Sequence, residues 1–359
     1  MKIKQLSLRN YKKFDSKVLD FCGGGDTPEN MILLVGDNAS GKSSILQAIA
    51  LLVGGAVWPK FQPSELRYPG FRWDNIQKGR MPVQIDATIC FTDDEINDTG
   101  RFCEELRERY PETFKNIPDS NPEISISLDY INNKVKSSRH KHLLQMKGYQ
   151  YALQLVKFKT GFEDYFRNVG SVYYYDEQRT ASSIETAGLS GSDIENTREL
   201  IDDKVIKEVL FKWYVFHQQV ASGKFILKEG QRDIFSVLEQ RYQMLFHGRY
   251  LKGFAPKMSP DSFFETEQDF WLSDGNNDYE FSEMSGGERA IFPMLIDFAN
   301  RNINNSIILI DELELHLHPP LQQALVRALP QLGENNQFII TSHSDSVCAM
   351  FAENQIIRL

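Results

Sequence analysis

A short glycine-rich run contains a lysine followed by two serines, and these residue types at this spacing can hold a phosphate chain. The run fits the pattern G-x-x-x-x-G-K-[ST] and follows the apolar stretch Met31–Val35, which predicts a buried strand. Glycines let backbone N–H groups turn towards phosphate oxygens, a lysine reaches the terminal phosphates, and a serine hydroxyl binds Mg²⁺. The sequence therefore predicts a nucleotide-binding loop with the candidate ligands Gly36, Asn38, Ala39, Ser40, Gly41, Lys42, Ser43 and Ser44.

Two adjacent carboxylates follow a second apolar stretch, residues 306–310, which also predicts a buried strand. Ligands of α/β sheets bind at the carboxyl ends of the strands, so Asp311 and Glu312 are expected beside the phosphate loop. Asp311 is a candidate Mg²⁺ ligand together with Ser43, and Glu312 is a candidate general base for a water molecule. A strand that merely ends in solvated acids is the alternative, and the phosphate loop favours the catalytic interpretation.

Two weaker motifs lie on either side of this carboxylate pair. Residues 284–289 read Met-Ser-Gly-Gly-Glu-Arg, which alone predicts only a capped helix start. His343 follows the apolar residues 338–341, where an imidazole can meet a terminal phosphate. Each motif alone is common, but four elements in this order are difficult to obtain by chance.

Together the four motifs resemble those of ABC-type ATPase heads, including the SMC, RecF and overcoming-lysogenization (OLD) proteins. The resemblance covers residues 1–55 and 280–359. It implies Mg²⁺ and ATP as ligands, slow hydrolysis, and a dimer of two heads that encloses two ATP molecules.

The resemblance also implies roles for further residues. Ser285, Gly287 and Glu288 would contact the nucleotide held by the partner head, and His343 would be the switch histidine. Gln178 follows the apolar run 172–175 and would contact Mg²⁺ and water. Arg9, Lys12 and Lys13 would approach the nucleotide from the N-terminal strand.

Residues 311–319 resemble the D-E-P-E-x-x-L-H-P run of the OLD and Septu-type (PtuA) ATPases, with Leu313 in place of the usual proline. A metal site at His316 and His318 is a weaker interpretation than a structural loop. The resemblance implies a prokaryotic anti-phage defence ATPase, of the Septu or retron-associated kind. Only enough residues for a helix and a strand follow His343, so the nuclease or toxin effector is expected on a separate protein.

Two other functions are considered. The main alternative is a RecF- or SMC-like DNA-repair ATPase whose closed dimer clamps DNA. A transporter subunit is disfavoured for two reasons. Glutamate follows Ser-Gly-Gly, where a transporter-like motif has glutamine, and the middle of the chain is long.

The elements predict an α/β fold, and the resemblance implies an ABC-type head with a mixed central sheet, a phosphate-loop core lobe and an inserted helical lobe. Residues 1–180 and 281–359 are expected to form the two parts of the core lobe, and residues 181–280 the inserted lobe. A hairpin is predicted at Asp274-Gly275. The first ten residues alternate in two opposite phases, which predicts a bulge or a strand buried on both faces.

Composition limits the remaining possibilities. The 359 residues carry a formal net charge of −9, from 40 Lys and Arg against 49 Asp and Glu, which excludes a polycationic nucleic-acid binder. Residues 131–160 nevertheless hold seven Lys or Arg and no acid, so this segment is either a solvated face or a patch for DNA or RNA. Widely spaced cysteines and the lack of a long apolar run predict a cytoplasmic protein with no membrane partner.

Overall fold

The computed structural model describes residues 1–58, 61–66, 68, 70–79, 81–157, 164–176, 203–228, 231–256 and 268–359. The strands are β1 (Lys2–Tyr11), β2 (Phe14–Asp20), β3 (Met31–Val35), β4 (Gln84–Cys90), β5 (Glu123–Asp129), β6 (Lys134–Ser137), β7 (Val172–Tyr175), β8 (Tyr250–Pro256), β9 (Gln268–Ser273), β10 (Asp278–Glu280), β11 (Ile307–Ile310), β12 (Gln337–Thr341) and β13 (Ile356–Arg358). The α-helices are α1 (Lys42–Val57), α2 (Asp93–Arg109), α3 (His140–Gln145), α4 (Gly148–Val156), α5 (Asp203–Ala221), α6 (Ile234–Leu245), α7 (Gly286–Arg301), α8 (Pro319–Ala328) and α9 (Asp345–Cys348). The predicted α/β fold class is confirmed.

A five-stranded parallel sheet in the order β13-β3-β12-β11-β7 forms the centre of the core lobe. Its inner strands are mostly apolar and buried, which is typical of parallel strands covered on both faces. Because these strands run in the same direction, the segments after β3, β12, β11 and β7 meet at one edge. The phosphate loop, the carboxylate pair and the histidine motif all begin at this edge.

A second, antiparallel sheet has the order β2-β1-β4-β5-β6. The register between β1 and β4 shifts between Ile3 and Gln5, so the predicted bulge is present. The side chain of Gln337, the first residue of β12, joins the two sheets. Its Oε1 accepts a hydrogen bond from the N–H of Ile3 at 2.7 Å, and its Nε2 donates to the carbonyl of Ile3 at 2.9 Å.

The hydrophobic core is divided by the parallel sheet. Ile307 and Leu309 pack on one face, in a cluster that includes α1 and the antiparallel sheet. Ile308 and Ile310 pack on the other face, in a cluster that includes α6, α7 and α8. This alternation follows from the two-residue period of a strand, which sends successive side chains to opposite faces.

Residues 181–280, predicted to be the inserted lobe, contain among their described residues α5, α6 and a three-stranded antiparallel sheet in the order β10-β9-β8. The predicted hairpin is present, with Leu272 opposite Tyr279. Strand β8 is not evident from the sequence, so the lobe is less helical than the pattern indicates. The predicted boundary at residue 180 lies outside the described residues, and the division into lobes stays a prediction there.

The basic segment 131–160 forms β6, α3 and α4, none of which the sequence predicts. Its side chains at Lys134, Lys136, Arg139 and Lys141 are exposed, whereas Lys159 lies outside the described residues. In the part of the chain that the structure describes, no helix is both long enough and apolar enough to cross a bilayer.

Candidate functional site

The phosphate loop, residues 36–43, connects β3 to α1 as the sequence predicts. Gly41 has a φ of 101°, and a Cβ at this position would lie 2.6 Å from Cζ of Phe14. Only glycine fits both conditions without strain. Lys42 is 5% exposed, and its Nζ donates to the carbonyl oxygens of Gly36 at 2.9 Å and Asp37 at 3.3 Å. The ammonium group is therefore held within the turn of the loop.

The other predicted ligands follow the same turn. Asn38 and Ala39 are exposed, and Ser44 is half-buried in the first turn of α1. The hydroxyl of Ser40 is buried and has no hydrogen-bond partner among the described residues. A buried hydroxyl without a partner is costly, so this loop fits an added oxygen-rich group such as a phosphate.

The turn between β1 and β2 lies against the phosphate loop. Lys13 Nζ donates to the carbonyl of Ala39 at 2.7 Å. Lys12 has a left-handed backbone, with a φ of 47°, and its Nζ instead donates to Oε1 of Gln47 on α1. Arg9 is exposed on β1. Of the three basic residues proposed for this approach, Lys13 is the one that the structure places on the loop, and nucleotide contacts of Arg9 and Lys12 stay predictions.

Asp311 lies at the end of β11 and receives three hydroxyl groups. Ser43 donates to its Oδ1 at 3.1 Å, and Thr341, the last residue of β12, donates to the same oxygen at 2.6 Å. Tyr68 donates to Oδ2 at 3.0 Å. Carboxylate and hydroxyl oxygens are the hard ligands that Mg²⁺ prefers, so Ser43 and Asp311 fit a Mg²⁺ site in which Thr341 and Tyr68 orient the carboxylate.

Tyr68 is a member of this site that the sequence did not reveal. Its ring stacks on Tyr174 of β7 with a centroid separation of 3.6 Å. Burial, reinforced by Tyr174 and Asp311, raises the pKa of the Tyr68 hydroxyl well above its ordinary value. The hydroxyl therefore keeps its proton and remains a donor to Asp311.

Replacing Tyr68 with phenylalanine is expected to weaken Mg²⁺ binding by about tenfold, the usual loss when a group that orients a metal ligand is removed. The readout is the Mg²⁺ concentration that half-saturates the Mg²⁺-dependent part of ATP affinity, followed with a fluorescent ATP analogue. Tyr130→Phe is the matched control, because Tyr130 stacks on Trp73 rather than contacting Asp311. An unchanged Mg²⁺ requirement in Tyr68→Phe would show that Asp311 does not depend on the hydroxyl.

Glu312 and His343 meet at the same edge of the sheet. The N–H of Glu312 donates to Thr341 Oγ1 at 2.8 Å, and Glu312 has a left-handed φ of 47°. His343 Nδ1 lies 3.0 Å from Oε2 of Glu312 and 2.7 Å from Oε1 of Glu314. Ligand atoms of these two glutamates and the histidine all lie within 4.8 Å of one another, a set that suits a transition metal as well as a hydrogen-bonded triad.

The electrostatic setting of Glu312 favours a role as a base. Burial is the main cause that raises its pKa, and the charge of Glu314 raises it further, while Lys42 and His343 act in the opposite direction. A carboxylate whose pKa is raised accepts a proton from water more readily. The role of Glu312 as the general base stays a prediction.

The Ser-Gly-Gly motif begins helix α7. Ser285 caps the helix: its Oγ accepts from the N–H of Glu288 at 3.3 Å and donates to Glu288 Oε2 at 2.7 Å. Ser285 and Gly286 are exposed. A Cβ at Gly287 would lie 2.7 Å from Cδ2 of Leu321, so this glycine lets α7 approach α8 closely.

The Glu288 carboxylate, in the first turn of α7, contacts residues of the inserted lobe. Its Oε1 accepts from Tyr242 at 2.5 Å and Tyr279 at 2.8 Å, and it pairs with Arg249 at 2.5 Å. Burial alone would raise the pKa of Glu288, but the hydrogen bonds from Arg249, Tyr242 and Ser285 outweigh it and lower the pKa from 4.5 to about 2. In this structure Glu288 supports the exposed Ser285, and direct contact between Glu288 and a partner's nucleotide stays a prediction.

Because the pKa of Glu288 is lower in the folded state, its ionised form stabilises the fold above pH 4.5, and this contribution is lost as the pH falls from 4.5 towards 2. Glu288→Gln is expected to reduce the free energy of unfolding by about 2 to 3 kcal/mol at pH 7. Urea unfolding from pH 8 to pH 3 should show this deficit shrink below pH 4.5. Glu334→Gln, at an exposed site, is the control. A deficit that is absent at pH 7, or equal at every pH, would contradict this account.

Two predicted features lie elsewhere. Gln178 is outside the described residues, and its contact with Mg²⁺ stays a prediction. His316 and His318 follow the carboxylate pair, and His318 is the residue before α8. Among the described residues, the one group of three or more possible metal-ligating side chains is Glu312, Glu314 and His343, and it includes neither His316 nor His318.

The fold and the site together define an ABC-type nucleotide-binding head, with the phosphate loop, the carboxylate pair and the histidine at the ends of adjacent parallel strands. The chain belongs to the AAA ATPase domain family, whose model matches residues 1–348.

Relatives extend over almost the whole chain. The probable ATPase of retron Ec83 from Escherichia coli is 24% identical over 97% of this chain and 69% of its own length. The probable ATPase of retron Vc95 from Vibrio cholerae serotype O1 biovar El Tor is 22% identical over 99% of this chain and 73% of its own length.

Solved structures with some similarity include SMC heads. One is an SMC head bound to the C-winged helix domain of ScpA, at 15% identity and a TM-score of 0.49 over 99% of this chain and 93% of that one. Another is the SMC head domain from Thermotoga maritima, at 14% identity and a TM-score of 0.47 over 98% and 92% of the two chains.

Proposed function

We propose that this protein is an ATPase whose heads dimerise around Mg²⁺-ATP and thereby control a separate nuclease or toxin effector in prokaryotic anti-phage defence. The observation that carries the ATPase assignment is the convergence of Lys42, Ser43, Asp311 and Glu312 on one sheet edge. Ser43 donates to Asp311 at 3.1 Å although 268 residues separate them in sequence. The defence assignment is supported by the two retron ATPases, which are similar over nearly the whole chain.

The residues of this site divide the work of hydrolysis. The phosphate loop and Lys42 bind and orient the triphosphate. Ser43 and Asp311 would hold Mg²⁺, which would neutralise phosphate charge. Glu312 orients a water molecule and accepts its proton. His343 lies beside Glu312, where its ring can contact the terminal phosphate of ATP and lose that contact after hydrolysis.

Dimerisation is supported by the exposed turn at the start of α7 that carries Ser285. The serine is exposed, while the buried network at Glu288 fixes the turn that presents it. In the proposed dimer, Ser285 of one head completes the nucleotide site of the other. Hydrolysis then requires two heads, and Ser285→Arg blocks the contact without touching its own phosphate loop.

A mixing experiment tests this arrangement. Ser285→Arg and Lys42→Ala are each expected to be inactive alone, for different reasons. Mixed in equal amounts, they can form one complete site, from the phosphate loop of the Ser285→Arg chain and the Ser285 of the Lys42→Ala chain. We expect ATP hydrolysis to reappear on mixing and to rise with protein concentration. Failure to restore activity, with both variants folded, would contradict hydrolysis between two heads.

A DNA-repair ATPase that clamps DNA is the second candidate. It is supported by the exposed row of basic residues on β6 and the start of α3, where Lys136 lies 3.9 Å from Asp129 and is only weakly paired. Isolation of the tagged protein from its native cell distinguishes the two functions. A stoichiometric nuclease, toxin or reverse transcriptase supports effector control, whereas DNA with recombination proteins and no effector supports the clamp.

A further inference from the structure

Glu314 is a buried carboxylate beside the nucleotide site for which the ATPase mechanism above has no use. Its side chain is 7% exposed. One oxygen, Oε1, accepts from the backbone N–H of His343 at 2.6 Å and lies 2.7 Å from the ring Nδ1 of the same residue. The single carboxylate oxygen therefore holds both the main chain and the ring of His343.

The turn that carries Glu314 is fixed to the neighbouring strand. Glu312 donates its N–H to Thr341 Oγ1 at 2.8 Å, and Leu313 donates its N–H to the Thr341 carbonyl at 3.1 Å. Leu313 is fully buried. These contacts place Glu314 under the segment that follows β12, so its position relative to His343 is set by the core rather than by a mobile loop.

Two carboxylates share one ring nitrogen at this point. His343 Nδ1 is 3.0 Å from Glu312 and 2.7 Å from Glu314. Both neighbours are acceptors when ionised, so Nδ1 carries a proton, and Nε2 is the ring nitrogen left to face a ligand. The His343 side chain is otherwise 54% exposed. Without Glu314, the ring would either hydrogen-bond to Glu312 alone or turn into solvent.

The second oxygen of Glu314 indicates that stability is not the reason for its placement. Oε2 is buried and has no hydrogen-bond partner among the described residues. A buried carboxylate oxygen that lacks a partner destabilises a fold. Buried polar atoms normally have hydrogen-bond partners, and exceptions are expected at functional sites.

We propose that Glu314 is a positioning residue for the ATPase reaction: it holds His343 by the backbone N–H and Nδ1, and so fixes the ring beside the Glu312 carboxylate that activates water. The proposal rests on the proposed function, because it assigns Glu312 the role of the base. Glu314 contacts neither nucleotide nor water in this scheme. It acts through the orientation of His343, and its loss slows hydrolysis without weakening ATP binding.

The test compares Glu314→Gln, which keeps the size and one acceptor oxygen but removes the charge, with Glu314→Ala, which removes both. Glu334→Gln, at an exposed site, is the matched control. For Glu314→Gln we expect kcat to fall between about 10-fold and 100-fold, as for other small misplacements of a catalytic group, with KM for ATP within twofold. The melting temperature should stay within a few degrees of wild type. Glu314→Asp has a side chain too short to reach both the backbone N–H and Nδ1 of His343, so its kcat should also be well below that of the wild type.

A spectroscopic readout makes the contact testable without turnover. In histidine-labelled protein, ¹⁵N NMR reports which ring nitrogen carries the proton, and His343→Asn assigns the signal of His343. We expect a protonated Nδ1 in wild type and a changed His343 signal in both Glu314 variants. An unchanged signal in Glu314→Gln together with wild-type kcat would overturn the proposal, and so would a fall in kcat that only accompanies a loss of folded protein.

The two failures are distinguishable. If the wild-type protein binds ATP but does not hydrolyse it under any condition, the proposed function fails, and the NMR signal still shows whether Glu314 holds His343. If hydrolysis is present and Glu314→Gln changes neither kcat nor the ring signal, the positioning role alone is wrong.

Discussion

Lys42→Ala is expected to abolish ATP binding, with a rise in Kd of at least about 100-fold, which corresponds to about 2.7 kcal/mol. The physical reason is that the Lys42 ammonium is 5% exposed and held by two carbonyl oxygens of the loop, so no solvent-exposed lysine can replace it. When ATP is bound, this ammonium would be the positive charge nearest the terminal phosphates. Isothermal titration calorimetry with Mg²⁺-ATP measures the loss.

Lys141→Ala is the control for the change in charge, because Lys141 is exposed on α3 and belongs to the antiparallel-sheet side of the core lobe. It should bind ATP as the wild type does. Thermal unfolding must accompany both measurements, since Lys42 also joins the two ends of the loop. Wild-type affinity in folded Lys42→Ala would mean that the nucleotide binds elsewhere.

Glu312→Gln is expected to separate binding from hydrolysis. Glutamine has the size of glutamate and can still hydrogen-bond to His343, but it cannot accept a proton from water. We expect kcat to fall between about 100-fold and 10,000-fold, the usual contribution of a general base, while ATP affinity stays near that of wild type. Dimers should then accumulate when ATP is added, because hydrolysis no longer opens the ATP-bound dimer.

Single-turnover hydrolysis gives the rate, and mass photometry with and without ATP gives the assembly. Glu334→Gln, at an exposed site away from this edge of the sheet, is the control and should behave as wild type in both. Hydrolysis by Glu312→Gln at the wild-type rate would exclude Glu312 as the base. Loss of ATP binding in the same variant would assign it to the binding site instead.

The sequence predicts the main ligands because their chemistry requires fixed residue types at fixed spacing. Lys42 and Ser43 belong to one continuous pattern, and Asp311 and Glu312 follow an apolar strand whose end must face the same edge. Strand order does not need to be known for this inference, since all parallel strands end on one side of a sheet.

Contacts between distant parts of the chain could not be predicted from the sequence. Tyr68 reaches Asp311 across 243 residues, and no local pattern marks a tyrosine in an irregular connection as a partner of a carboxylate. Glu314 appears in the sequence only as one acid among several, and its role depends on how the turn after β11 is pinned to Thr341. Lys12 and Lys13 are adjacent in sequence, and the left-handed backbone at Lys12 decides which of them meets the phosphate loop.

Glu288 shows a different limit of sequence reasoning. The motif identifies the glutamate correctly as part of the Ser-Gly-Gly turn, but it does not show that Arg249, Tyr242 and Tyr279 surround the carboxylate. These partners come from α6, β10 and the segment before β8, which are near one another only in the folded lobe. The sequence does not predict strand β8, because its pattern lies next to residues with little regular alternation.

The bridge between Gln337 and Ile3 has a mechanical consequence. Gln337 begins β12 and Thr341 ends it, so the same strand is tied to the antiparallel sheet at one end and to Asp311 at the other. The two sheets are thereby joined at Ile3, and a hinge between them would break both hydrogen bonds of this bridge. We therefore expect movement driven by ATP to occur between the core lobe and the inserted lobe, with amide hydrogen exchange responding to nucleotide along α7 while the amide of Ile3 remains protected.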